Sequence, residues 1–91
     1  VVRVEFTIEP FVEGAPGPHV LAAVDAARAI ADDVEIGPFG SSCTTEATRA
    51  GELVRAVVDS AIVNGATHVS LHVERDEMER NQVEHGVEHG R

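Results

Sequence analysis

The chain has 91 residues, with sixteen acids, seven arginines and no lysine, for a net charge of −9. That balance argues against nucleic-acid binding, because there is no basic stripe to displace phosphate counterions, and it disfavours anionic membranes. It favours cationic partners instead: metal ions, amines or a positively charged small molecule.

A single domain of this length buries only roughly 60–65% of its unfolded surface, so oligomerisation is an expected source of further stability. Cys43 is the only cysteine, which rules out an intramolecular disulfide framework. No apolar run approaches the ~20 residues of a membrane span. No signal peptide is legible either, and a cytoplasmic location is expected.

Residues 2 to 9 alternate strictly. Val2, Val4, Phe6 and Ile8 point one way, and Arg3, Glu5, Thr7 and Glu9 the other. This predicts a strand with one face buried. Residues 10–18 hold Gly14, Pro16 and Gly17 and read as a loop. Pro18 suits the first turn of a helix. That helix is predicted over His19–Asp32, with Leu21, Val24, Ala27 and Ala31 inward, Asp25, Arg28 and Asp32 outward, and Arg28 and Asp32 at i,i+4 spacing.

Val34 and Ile36 begin a second strand, punctuated by Gly37-Pro38-Phe39-Gly40. Ser41 to Thr45 is read as a third strand, with Gly40 as the turn between them or Gly37-Pro38 as a bend in its place. The second helix is the clearest element. Ala50, Leu53, Val54, Val57, Val58, Ala61 and Ile62 recur as i, i+3, i+4, while Glu52, Arg55 and Asp59 lie outside. Thr45 or Thr48 is the expected cap, and Asn64-Gly65 the stop. A last strand follows over roughly 67–74, alternating Val69, Leu71 and Val73 with His68, Ser70, His72 and Glu74.

The order is β-α-β-β-α-β, which predicts an α+β, ferredoxin-like sandwich: a four-stranded antiparallel sheet with two helices on one face. The first strand should lie between the third and fourth. The domain is predicted to span residues 1–76. Residues 77–91 contain Val83-Glu84-His85-Gly86 repeated as Val87-Glu88-His89-Gly90. Glycine at every fourth position disfavours helix, so this segment is expected to be a flexible tail.

Several segments carry a family resemblance: Val4-Glu5-Phe6-Thr7-Ile8-Glu9-Pro10, Gly17-Pro18-His19-Val20, Gly37-Pro38-Phe39-Gly40-Ser41-Ser42 and Thr67-His68-Val69-Ser70-Leu71. In order and spacing they resemble the thiamine-binding protein family, over about residues 1–76. The resemblance implies a non-enzymatic, ferredoxin-like protein that binds thiamine or its hydroxymethylpyrimidine part. It also implies a homodimer or homotetramer paired through open sheet faces. Phe39 stands where family members often carry methionine.

Thiamine needs an acceptor for its exocyclic amine, an apolar wall for its rings and negative charge near its thiazolium. Glu5, Thr7 and Glu9 offer acceptors on the first strand, with Ser70, His72 and Glu74 expected beside them. Phe39, Gly40, Ser41 and Ser42 offer an aromatic face, backbone amides and hydroxyls at the hairpin. The predicted ligand site is therefore Glu5, Thr7, Glu9, Phe39, Gly40, Ser41, Ser42 and His72, with no cofactor beyond the ligand. The bland alternative is a solvated or subunit-facing surface with cross-strand charge pairs, Arg3 neutralising Glu74 or Glu5.

No metal site is expected. His68 and His72 are separated by about 13 Å at strand rise. His72 and Glu74 are about 6.5–7 Å apart and would need Glu5 across the ladder to flank an ion. Catalysis finds no phosphate loop, no paired cysteines and no trusted triad, and Cys43 reads as packing. Two rival functions use the same fold: a regulatory or protein-interaction module that oligomerises through its open face without a ligand, and a small dimeric α+β barrel enzyme. The enzyme wants a more apolar open face than Arg3-Glu5-Thr7-Glu9 provides.

Overall fold

The computed structural model describes residues 1–11, 16–37 and 40–75. The predictions for Phe39 and for the tail at 77–91 fall outside these residues. Strand β1 (Val2–Glu9) is followed by helix α1 (Pro18–Arg28), strands β2 (Asp32–Ile36) and β3 (Ser41–Thr45), a 3-10 turn over Ala47–Arg49, helix α2 (Ala50–Val63) and strand β4 (His68–Arg75). The sheet order is β2-β3-β1-β4, and every neighbouring pair is antiparallel. This is the expected ferredoxin-like α+β arrangement, with β1 central between β3 and β4.

The alternation in β1 produces the layer structure directly. Val2, Val4, Phe6 and Ile8 are buried with Cys43 of β3, Ala23, Val24 and Ala27 of α1, and Leu53, Val57 and Ala61 of α2. α1 and α2 pack against each other over this face. Each large aliphatic side chain removed from water here contributes about 1.5–3 kcal/mol. The opposite face of β1, beginning with Arg3 and Glu5, is left uncovered.

The first helix differs from its prediction at both its end and its inner face. It stops at Arg28, and the chain turns through Ala29 and Ile30, where the Ala31 amide donates to the Ala27 carbonyl at 2.7 Å. Asp32 is not helical: it opens β2 opposite Thr44, so the expected Arg28–Asp32 helical spacing does not exist. Two successive aspartates have weak helix propensity, and pairing with β3 supplies backbone partners that a longer helix would forgo. Asp33 sits at the β2 irregularity with φ of 52°, a left-handed conformation that Asp tolerates better than most residues.

Of the expected inner stripe of this segment, Val24, Ala27 and Ala31 are buried and only Leu21 is not. His19 is buried and Leu21 is 48% exposed. His19 Nε2 bonds the Pro10 carbonyl, which fixes the first turn against the end of β1. With about 100° per residue, the face through His19, Ala23 and Ala27 turns inward and Leu21, about 200° from His19, turns out.

α2 keeps Leu53, Val57 and Ala61 in the core, but Ile62, predicted inward, is 51% exposed at its last turn. No side-chain cap opens the helix. Thr45 is a buried strand residue, and the Ala47–Arg49 turn intervenes before Ala50. The stop is as expected: Asn64 caps the helix and Gly65 follows with φ of 107°.

Candidate functional site

The backbone register assembles the open face in rows. Glu5 of β1 lies opposite Ser42 of β3 and His72 of β4, and Ser42 lies opposite Glu35 of β2. Directly opposed residues share a face, so Glu35, Ser42, Glu5 and His72 form one polar row across all four strands. The next rows up the sheet pair Thr7 with Ser70 and Glu9 with His68; the row below pairs Arg3 with Glu74 and Thr44.

At the hairpin end of the sheet is an open depression of about 390 Å³, lined by Arg3, Glu5, Thr7, Ser42 and Glu35 of the open face and, round the end of the ladder, by Phe6, Ile36, Gly37, Gly40 and Ser41. Two local features shape it. The Gly37 amide donates to the Gly40 carbonyl at 2.7 Å, closing the β2–β3 hairpin. Gly40 then returns so close to β1 that a Cβ there would stand 3.1 Å from Thr7 Oγ1 and 3.2 Å from the Phe6 carbonyl oxygen. Only a residue without a side chain fits that approach without displacing its neighbours.

Of the residues predicted from sequence, Glu5, Thr7, Gly40, Ser41 and Ser42 come together in the depression. Ser41 does so from the helix-covered side of the ladder, opposite Phe6, and is almost fully buried. Glu9 and His72 are on the same face of the sheet but outside the depression. Glu9 lies opposite His68, and its backbone carbonyl accepts the Thr67 amide at 2.7 Å. His72 Nε2 approaches Glu74 Oε1 at 3.6 Å.

Sequence reading missed Glu35, Ile36 and Gly37 as lining residues. The signal was available: a four-residue hairpin loop ending at Gly40 pairs Ile36 with Ser41 and therefore Glu35 with Ser42. Of the two partners that the bland alternative offers Arg3, the structure gives it Glu5. Arg3 Nη2 and Nε donate to Glu5 Oε2 at 3.2 and 3.3 Å, with both side chains about half exposed. An exposed pair of this kind stabilises little, but it occupies the carboxylate that the sequence offered first as a ligand anchor.

Among the described residues, no three of His, Cys, Asp and Glu are grouped so as to hold a metal ion. Cys43 is buried between the sheet and the helices, and desolvation pushes its thiol pKa up, so it is packed as a small apolar group and poorly disposed to act as a nucleophile. No helix among the described residues is long and apolar enough to cross a membrane.

Element order, sheet topology and the one-sided helical layer define the class: a ferredoxin-like α+β domain with an uncovered polar sheet face. No family model matches the sequence, and no curated protein matches it. Similar solved structures include two that cover most of this chain. A domain of unknown function, DUF77, from Bacillus cereus superposes with a TM-score of 0.61 at 17% identity, over 82% of this chain and 75% of that one. A hypothetical protein from Methanocaldococcus jannascii gives a TM-score of 0.53 at 21% identity, over 93% of this chain and 95% of that one. Both likenesses are of fold.

Proposed function

We propose that this protein binds thiamine or its hydroxymethylpyrimidine moiety, without chemical change, in the depression at the hairpin end of the open sheet face. The observation that carries the proposal is the convergence there of two carboxylates and two hydroxyls, Glu5, Glu35, Thr7 and Ser42, with Ile36 as an apolar lining residue at the sheet edge. These are the groups that an aminopyrimidine and a cationic ring require. The sequence resemblance to the thiamine-binding family points the same way, as does the net charge of −9.

In this reading the protein is a cytoplasmic homodimer or homotetramer, the partner's sheet face covering the open side of a depression that one chain leaves exposed. Isothermal titration calorimetry with thiamine and with hydroxymethylpyrimidine tests it. Saturable binding of either near micromolar affinity is expected; a folded protein that binds neither would overturn the reading.

One observation favours a second reading, a protein-interaction module without a small ligand. β4 is an eight-residue strand at the end of the sheet, and its outer edge has no strand partner among the described residues. An edge of that length is a template for pairing with another chain. Light scattering that finds a stable oligomer, together with silent titrations, would favour the module.

A further inference from the structure

We infer that Glu35, on the edge strand β2, is the residue that selects a positively charged ligand, while Glu5 is held in reserve by Arg3. The inference rests on the proposed thiamine-class site and assigns the charge recognition within it.

Three charged side chains line the depression: Arg3, Glu5 and Glu35. Arg3 and Glu5 are joined by two hydrogen bonds to one carboxylate oxygen. Among the described residues, no ion pair or hydrogen bond engages the Glu35 side chain, although three arginine–carboxylate pairs and a His72–Glu74 contact are formed. The uncompensated negative charge of the depression therefore belongs to β2 rather than to the central strand.

Register gives this charge a position. Glu35 and Glu5 flank Ser42 in one row, two strand spacings apart, roughly 10 Å between backbones. A ligand of two linked rings lying across Ser42 would bring one ring to the Glu5 side and the other beside Glu35. A permanently cationic ring gains by taking the Glu35 side, where no arginine competes for the carboxylate. A neutral ring gains nothing there and is held by the Thr7 and Ser42 contacts alone.

The test is calorimetric titration at pH 8, where thiamine keeps its thiazolium charge and hydroxymethylpyrimidine is neutral. Wild type is compared with Glu35→Gln and with Asp25→Asn, which removes the same charge from the exposed side of α1. Glu35→Gln is expected to weaken thiamine about fivefold, the scale of one exposed charge pair, while changing hydroxymethylpyrimidine less than about twofold. Asp25→Asn should change neither.

Equal weakening of both ligands by Glu35→Gln, no weakening of either, or an equal effect from Asp25→Asn would each overturn the assignment while leaving the site itself standing. A wild-type protein that binds neither compound would instead remove the thiamine-class reading, and this assignment with it. Both substituted positions are solvent-exposed, and a matching urea midpoint establishes that the variants are folded.

Discussion

Gly65 shows how one residue type can be required by backbone alone. It follows the last turn of α2 with φ of 107°, and a Cβ built there meets no atom within 4 Å. Any cost of a side chain is therefore conformational. Gly65→Ala is expected to destabilise the fold by about 1–2 kcal/mol. Gly51, in the first turn of α2, is equally open but carries no such φ. Alanine there should stabilise by about 0.5 kcal/mol through lower unfolded-state entropy. Urea denaturation of the two variants checks the opposite signs. Gly40 differs from both, because its lack of a side chain admits the hairpin to within contact of Thr7 and Phe6. His19 makes the complementary point: a polar residue ahead of an apolar stripe is buried because a backbone carbonyl awaits it.

At the scale of elements, α2 starts without a side-chain cap, and its first turn is organised by charge. Arg49 Nε and Nη2 donate to the two oxygens of Glu52 at 3.0 and 3.1 Å. The bonds from Arg49 hold the Glu52 carboxyl pKa below its usual 4.5, and Glu52 also gains from its place at the helix N-terminus. A carboxyl lowered in the folded state adds stability that is present above pH 4.5 and is lost as pH falls through the folded value. Glu52→Gln should therefore lower the urea midpoint slightly near pH 7, and the gap from wild type should narrow as pH falls below 4.5. A gap that persists at the lower pH would show that Glu52 acts by packing instead. β1 needs no such device, because its alternation and its central place supply partners on both edges.

For the whole molecule, the dominant electrostatic fact is the charge of −9 on a chain of 91 residues. Three ion pairs among the described residues involve Arg3, Arg49 and Arg55, and all are exposed. They offset little of the mutual repulsion among acids. Screening should then stabilise the protein: its thermal midpoint is expected to rise between about 0.02 and 0.3 M sodium chloride, as the Debye length falls from roughly 20 to 6 Å. A midpoint that fell with salt would mean that the ion pairs outweigh the repulsion.

The sequence by itself determined the architecture and most of the open face. The alternation in β1 and β4 and the stripe of α2 are one-dimensional patterns with a single compact solution, and two one-faced helices must cover the apolar side of the sheet. Glu5 and Thr7 were legible as open-face residues for the same reason, whereas only the register separates Ser42 from the buried Ser41. Tertiary structure decided what a linear pattern cannot hold. Where α1 stops depends on β3 capturing Asp32, and which way α1 faces depends on His19 meeting the Pro10 carbonyl. The difference between Glu5, engaged by Arg3, and Glu35, brought to the same row from another strand, arises only when the hairpin register and the side-chain contacts are both fixed. Local propensity acts between residues close in sequence, whereas a binding surface is made by residues that only the closed sheet brings together.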